Sequence, residues 1–323
     1  MKPISRLAFS FVLATALTLT GCASFERTLP APQQAQPIAV QIINEPLSAW
    51  SDMPIGVYRV PESNTVISGQ QQGGMAPVLL FGLIGLAAQH AAGASASEEA
   101  VREIEKSLRI DVGQQAQTAS RRVIDSGLYP RHFTNQTDAA GPKLNVSGSL
   151  LMTFVDDKSV RPWVVLKATL MDAKTKEPIW STRYFSSTSG ARPLAGENSW
   201  TANSGELLQR AVAKDVEHSV AFMLKDISAP HMRDENALTT VQSHFPFVRQ
   251  RLQSVGFKLA EDEKIVTFIP RVGDIIVFAG VNILDKSSAV VRGATKDDIN
   301  AFLKIVEEET KIADATQIPS KTD

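Results

Sequence analysis

Three successive β-like segments constrain the fold of this chain more than any other feature of its sequence. Every second residue is apolar or glycine from Leu144 to Phe154, and every second residue is apolar from Val164 to Leu170. Because successive side chains of a strand point to opposite faces, this period of two predicts two strands with one apolar face each. A polar turn separates them, and residues 178–185 form a third β-like run. The segment therefore predicts an antiparallel meander whose apolar face must be covered.

Two amphipathic helices flank the meander in the sequence. Residues 95–126 and 205–225 both place apolar side chains at steps of three and four, the second segment after a predicted N-cap at Asn203. An apolar stripe on a helix can cover one face of a sheet. The pattern therefore predicts an α+β domain over residues 38–230, in which two long helices pack on an antiparallel or mixed sheet.

Shorter β-like runs complete this predicted domain. Residues 55–60 and 65–68 are rich in β-branched side chains and are separated by a turn, so they predict a strand pair. Residues 128–133 predict an edge strand, because Pro130 cannot donate a hydrogen bond to a central ladder.

The C-terminal third starts a new pattern after residue 235. The predicted elements are a helix over 237–254 interrupted at Pro246, β-like runs at 264–269, 274–279 and 288–292, and a final helix over 296–310 capped by Thr295. They predict a small α+β domain over 235–312, followed by a disordered tail over 313–323.

The N-terminus has the pattern of a secretory signal peptide, with a basic start, an apolar run and small residues before Cys22. The sequence Leu19-Thr20-Gly21-Cys22 resembles the bacterial lipobox, in which the cysteine thiol receives a diacylglycerol and the bond before it is cut. The resemblance implies a signal peptide over 1–21, a fatty-acylated Cys22 of the palmitate type, and a Pro- and Gln-rich tether over 22–37.

The implied lipid decides how the mature protein meets a membrane. Two or more acyl chains suffice for stable anchoring, so we expect the protein to be held on a membrane by the chains on Cys22 without spanning it. Position 23 is Ala rather than Asp. By resemblance to enterobacterial lipoproteins, this residue favours transfer to the outer membrane, where the chain would face the periplasm.

Composition and motifs argue against several classes of function. The 33 basic residues nearly balance the 34 acidic ones, which disfavours a nucleic-acid partner. The sequence lacks the common hydrolase, zinc-protease and nucleotide-binding signatures, and its five His residues do not show zinc-ligand spacing. Cys22 is the single cysteine, so no disulfide can form within the chain. These absences exclude the common catalytic signatures and not catalysis itself, and we expect neither a metal site nor a cofactor.

A few side chains allow two interpretations, one functional and one structural. Asp156-Asp157 and Asp297-Asp298 are carboxylate pairs, but adjacent residues diverge on a strand or helix, so a turn and a helix start are favoured over acid–base catalysis. The chain also has tryptophans that could line a ligand groove but are expected in the core: Trp163, Trp180 and Trp200.

The segment from Met75 to Ala88 has no charged residue. At fourteen residues it is shorter than a membrane span. Glycines at 82 and 85 would allow close approach of another backbone. Two main alternatives are therefore open, a buried core segment or an association surface for an oligomer or a membrane, and the leucines that would carry the surface are Leu80, Leu83 and Leu86.

The order of helix, edge segment, meander and helix resembles the N-terminal domain of TolB and the related cores of the lipoproteins CsgG and LpoB. The closest stretches are residues 144–149 and 165–172, followed by Thr175 and residues 179–181. These families imply a non-catalytic scaffold or accessory protein of a cell-envelope complex, with an envelope protein as its unidentified partner. A homo-oligomer, a secretion-pore subunit resembling CsgG, and an envelope hydrolase or glycan-binding protein with an interdomain site are the alternatives.

Overall fold

The computed structural model describes residues 36–45, 47, 57–68, 98–129, 131–136, 139–228, 234, 236–271, 278–301 and 304. In this part of the chain the strands are β1 (Ile38–Ile42), β2 (Tyr58–Arg59), β3 (Thr65–Ser68), β4 (Phe133–Thr134), β5 (Lys143–Phe154), β6 (Ser159–Met171), β7 (Pro178–Ser187), β8 (Arg192–Pro193), β9 (Thr239–Ser243), β10 (Leu252–Glu261), β11 (Ile265–Pro270), β12 (Val281–Asp285) and β13 (Val290–Gly293). The helices are α1 (Glu98–Ser107), α2 (Val112–Asp125) and α3 (Ala202–Ser228), followed by helical residues 296–301.

All these strands join one large mixed sheet, in which ten follow the order β13-β9-β10-β11-β12-β7-β6-β5-β1-β4. Strand β3 pairs with β5 and β2, and β8 pairs with β6, off this path. The predicted meander is confirmed, since β5, β6 and β7 pair antiparallel along almost their whole lengths. The strand pair β2–β3 and the edge position of β4 are confirmed as well. The α+β fold class predicted from the pattern is therefore the one observed.

The strands after residue 235 extend this sheet. β12 lies parallel to β7, with Ile283 opposite Ser186, and β11, β10, β9 and β13 follow outward as antiparallel neighbours. The segment 235–312 thus shares its hydrogen-bond ladder with the meander. The predicted domain boundaries themselves stay a prediction.

Two apolar clusters lie on opposite faces of the sheet. On the first face, Leu150, Leu166 and neighbouring strand residues pack against Val112 of α2 and Val216 of α3. On the second face, Trp163 of β6 belongs to the same cluster as residues of β9, β11 and β12, which are several strands away in the sheet. The sheet must therefore curl so that its C-terminal strands fold back over the second face.

Three expectations about the helices were wrong. Residues 95–126 form two helices, because the carboxylate of Asp111 accepts a hydrogen bond from the Gln114 N–H and starts a new helix there. Asn203 is not an N-cap: residues 203–205 have left-handed backbone angles, and the Ala202 N–H is bound by the Ser199 hydroxyl instead. These two errors come from helix starts, which periodicity alone does not locate.

The predicted helix over 237–254 was the third error. This region contains β9, a turn through Pro246 and the start of β10. The β-branched residues Thr239, Thr240 and Val241 pair with both β10 and β13, so cross-strand pairing decides their structure.

The other C-terminal predictions are closer to the structure. The run at 264–269 matches β11, the run at 288–292 overlaps β13, and residues 274–277 of the remaining run lie outside the described residues. Thr295 does cap the final helix: its hydroxyl accepts a hydrogen bond from the Asp298 N–H, and the Asp298 carboxylate accepts one from the Thr295 N–H.

Candidate functional site

A polar cleft of about 620 Å³ opens where β1 and β3 meet the same edge of β5. Strand β1 pairs with β5 up to Val146, and β3 pairs with it from Leu150 onward. The Ile43 N–H donates to the Val146 carbonyl at 2.9 Å, and the Leu150 N–H donates to the Asn64 carbonyl at 3.1 Å. Gly148 therefore lies in a gap between two strands that share one edge.

Helix α2 begins directly over this gap. A Cβ atom on Gly148 would lie 2.9 Å from the backbone nitrogen of Gly113 and 3.0 Å from the backbone of Val112. The absence of a side chain at Gly148 lets the first turn of α2 approach the sheet closely. The N-cap Asp111 and the first-turn residue Gln114 then line the cleft.

Charged groups in the cleft are already compensated. The Arg109 guanidinium lies 3.0 Å from the Glu62 carboxylate, and both side chains remain partly exposed. The Arg59 Nε donates to the Ser63 carbonyl at 3.2 Å. An exposed ion pair of this kind contributes about 0–1 kcal/mol to stability, so its groups can exchange partners at small cost.

The uncharged side chains of the cleft supply paired donors and acceptors. Asn64 Nδ2 donates to Asn44 Oδ1 at 2.9 Å, and the Ser63 hydroxyl donates to the Val60 carbonyl at 3.0 Å. Gln117 of α2 is exposed on the rim. Side-chain amides carry both donors and acceptors, so this lining can donate hydrogen bonds to a polar chain and also accept them from it.

The residues singled out from the sequence lie elsewhere. Two of the predicted sites fall outside the described residues. They are the lipobox of Leu19, Thr20, Gly21 and Cys22, and the proposed association surface of Leu80, Leu83 and Leu86. The three tryptophans Trp163, Trp180 and Trp200 are buried, as expected for core residues. No group of three or more His, Cys, Asp or Glu side chains within the described ranges could hold a metal ion.

The carboxylate pairs contain a turn residue, Asp156, and a helix-cap residue, Asp298. Asp156 Oδ1 accepts hydrogen bonds from the Lys158 and Ser159 N–H groups, which makes it a turn residue. Asp298 belongs to the helix cap and also forms an ion pair with Arg292, whose hydrogen bond holds the pKa of Asp298 far below its usual range.

Sequence reasoning did not identify the cleft or the buried carboxylates under α3. Asp215 is buried at 1% exposure, and its Oδ1 accepts hydrogen bonds from the Ser186 hydroxyl (3.1 Å), the Thr188 N–H (3.0 Å) and the Thr188 hydroxyl (2.7 Å). Three turns further along α3, Asp226 accepts a hydrogen bond from the Tyr184 hydroxyl at 2.9 Å. Both carboxylates hold α3 to β7.

Burial raises the pKa of Asp215 to about 6, although the hydrogen bonds from Thr188 and Ser186 oppose the shift. A raised pKa means that the folded state takes up a proton before the unfolded state does, so the contribution of Asp215 to stability increases as the pH falls through 6. We expect the free energy of unfolding of the wild type, relative to Asp215→Asn, to rise by about 1 kcal/mol from pH 8 to pH 5. Urea denaturation at several pH values measures this difference.

Asp172→Asn provides the contrast for that experiment. Hydrogen bonds from the Thr175 and Lys174 N–H groups lower the pKa of Asp172, so its stabilising contribution is lost as the pH falls. A difference between wild type and Asp215→Asn that stays constant from pH 8 to pH 5 would contradict the assignment of a buried, titrating carboxylate.

Comparisons with known proteins add little to this geometry. No protein-family model matches the chain, and no curated protein matches it. A solved structure that does match is described as a putative lipoprotein from Caulobacter crescentus CB15, with 11% identity over 39% of this chain and 93% of that chain. The TM-score is 0.25, which does not establish a common fold. Among the helices of the described residues, none has the length and apolarity needed to cross a bilayer.

Proposed function

We propose that this chain is a lipid-anchored, non-catalytic accessory protein of the bacterial cell envelope that faces the periplasm and binds a partner protein through the polar cleft. The observation that carries the proposal is the cleft itself, a gap between two strands lined by compensated charges and amides. The lipobox at Cys22 and the TolB-like order of elements support the envelope location.

The chemistry of the lining favours binding over catalysis. The Glu62 carboxylate is engaged by Arg109, the Asp111 carboxylate caps α2, and the Ser63 hydroxyl donates to a backbone carbonyl. None of these groups is arranged as a nucleophile with a neighbouring base. A partner segment with alternating N–H and C=O groups would match the donors and acceptors that remain.

The predicted tether would limit the distance between this cleft and the membrane. Residues 22–37 would extend by at most about 55 Å, since an extended residue spans about 3.4 Å. The tether leads directly into β1, and Ile42 at the end of β1 lines the cleft. A partner embedded in or lying near the same membrane would be within that distance.

Glycan binding at the same cleft is the second candidate. The Asn44–Asn64 amide pair favours it, because side-chain amides can donate and accept toward neighbouring hydroxyls at once. A cell-wall glycan would thus be held by the same residues as a polypeptide, and the two ligands are separated by experiment.

Photo-crosslinking in intact cells tests the proposal. A photoreactive residue at Gln117, in the full-length lipidated chain, is expected to capture one defined envelope protein, whereas the same probe at exposed Lys225 on α3 is not. Adding Arg109→Glu to the Gln117 probe should reduce capture, because it reverses a charge at the cleft without touching the core. Identical products from both positions, or none from Gln117, would contradict protein binding, and a muramidase-sensitive adduct would favour the glycan.

A further inference from the structure

Arg161 on β6 is a buried cation whose charge has no close partner among the described residues. Its side chain is 4% exposed, and one guanidinium nitrogen, Nη1, donates to the Ser288 hydroxyl at 3.2 Å. The Nε atom is fully buried and has no hydrogen-bond partner in the described part of the chain. Within the part of the chain that the structure describes, no carboxylate lies within 4.0 Å of this guanidinium.

The surroundings of Arg161 add further positive charge. Arg251 Nη2 donates to the backbone carbonyl of Ser288 at 3.2 Å, so two guanidinium groups meet at one residue. His244 is near enough to feel the charge of Arg161, and its buried Nδ1 has no hydrogen-bond partner within the described ranges. Burial, and then the charge of Arg161, lower the pKa of His244, whereas a hydrogen bond with the Arg249 backbone raises it.

The two carboxylates that act electrostatically on Arg161 are engaged elsewhere. Asp285 and Asp215 influence Arg161 electrostatically from beyond ion-pair distance. The Asp285 carboxylate accepts hydrogen bonds from the N–H and hydroxyl of Ser287, and Asp215 is bound by residues of β7 and the loop after it. Neither can also satisfy the buried Nε.

An arginine in this position cannot relieve its burial by losing a proton. Buried Lys, Asp, Glu and His side chains can become neutral, but a guanidinium stays charged in proteins. A buried charge without a counter-charge is strongly destabilising. A carboxylate matches the planar Nε–Nη edge of the guanidinium with two parallel hydrogen bonds, which makes it the best-fitting counter-ion.

The fold brings this site together from distant segments. The loop between β9 and β10 reaches the end of the β5–β6 hairpin, where the Phe247 N–H donates to the Thr153 hydroxyl and Arg249 pairs with Asp157. Thr153 lies directly opposite Arg161 in the β5–β6 register. The site therefore forms only when the C-terminal strands are folded back over the meander.

We propose that Arg161, with Arg251, His244 and Ser288 around it, binds a carboxylate anion that neutralises the buried guanidinium. The small exposed fraction of Arg161 favours a small ion such as formate or acetate over a bulky ligand. The same chemistry can come from a free anion or from the terminal carboxylate of a polypeptide.

Thermal unfolding of the full-length protein in detergent tests the proposal at pH 7. Sodium formate is expected to raise Tm in a saturable way beyond the effect of sodium chloride at equal ionic strength, because a ligand that binds only the folded state stabilises it. Arg161→Met should lose this response, and Arg251→Met, an exposed position, should weaken the apparent affinity by about tenfold. Arg122→Met removes an exposed arginine on α2 and should leave the response unchanged.

Direct binding keeps the test decisive if Arg161→Met does not fold. Titration calorimetry with formate on wild type and Arg251→Met should show the same difference in affinity. A peptide with a free C-terminal carboxylate, compared with its amidated form, shows whether a polypeptide can supply the anion. If the carboxylate peptide binds and the amidated peptide does not, a polypeptide can be the source. If neither peptide binds while formate does, the site takes a small ion. Equal effects of formate and chloride on the wild type, or an equal formate response in wild type and Arg161→Met, would overturn the proposal.

Discussion

Replacing Leu166 with aspartate is expected to abolish the cooperative unfolding transition of this protein. Leu166 is fully buried on β6, between Gly148 of β5 and Tyr184 of β7, and it belongs to the cluster beneath the helices. An unpaired carboxylate at such a position costs several kcal/mol, a large part of the roughly 5–15 kcal/mol by which a typical domain is stable. Circular dichroism during heating of the full chain measures the loss.

A matched substitution at the same position distinguishes the effect of a buried charge from the effect of a changed side-chain shape. Leu166→Met nearly conserves the volume and should cost less than about 1.5 kcal/mol, so it should retain a cooperative melt. If Leu166→Asp melted like the wild type, this face of the meander would have to be exposed, and the register of β6 would be shifted by one residue.

The meander was predictable from the sequence because a period of two leaves few alternatives. Shifting the register of β6 by one residue would replace Leu166 with Lys167 on the apolar face. In the structure Lys167 instead forms an ion pair with Glu45 on the other face. Local alternation and tertiary burial therefore agree on the first face of the meander, while side chains of both faces are buried from Val160 to Leu166. The predicted meander was confirmed.

The helix boundaries were less predictable because single caps override periodicity. Asp111, followed by Gln114 three residues later, has the spacing of a helix start, and this signal could have divided the segment 95–126 correctly. Near Pro246, apolar spacing alone suggested a helix. The β-branched residues of β9 follow pairing partners that lie more than ten residues away along the chain.

The polar cleft could not be located from the sequence because it assembles from four separate segments. The end of β1, the turn after β2, the start of α2 and Gly148 are distant in the chain. Each one alone has the pattern of an ordinary turn or helix start. Gly148 gave the nearest signal, since a glycine inside a strand often marks a place where another backbone approaches.

The burial of the Arg161 guanidinium could not be predicted from the sequence for a related reason. Arg161 lies on the second face of β6, and alternation assigns that face to solvent unless something covers it. Strands β9 to β12 supply the cover only after the sheet curls. Burial of Arg161 is thus a consequence of long-range pairing, which no local pattern in residues 159–171 records.

Replacing Cys22 with serine is expected to abolish incorporation of labelled palmitate, which is the largest effect expected of any single substitution in this chain. In the lipoproteins that this N-terminus resembles, the thiol of the lipobox cysteine is the nucleophile in diacylglycerol transfer, and cleavage before that cysteine follows lipid attachment. The variant should therefore also keep the 21 residues that precede position 22. Labelling followed by electrophoresis measures the lipid, and intact-mass analysis measures the retained segment.

Two substitutions at position 23 complete this test of the lipid anchor. Ala23→Ser keeps Cys22 and a small neighbour, so labelling and cleavage should be unchanged. Ala23→Asp should also be labelled but should shift the protein from the outer to the inner membrane fraction in a density gradient, since an acidic residue there is the retention signal of the enterobacterial lipoproteins that this N-terminus resembles. Wild-type labelling of Cys22→Ser would refute the lipobox assignment, because the acylated atom would then have to lie elsewhere in a chain that has one cysteine.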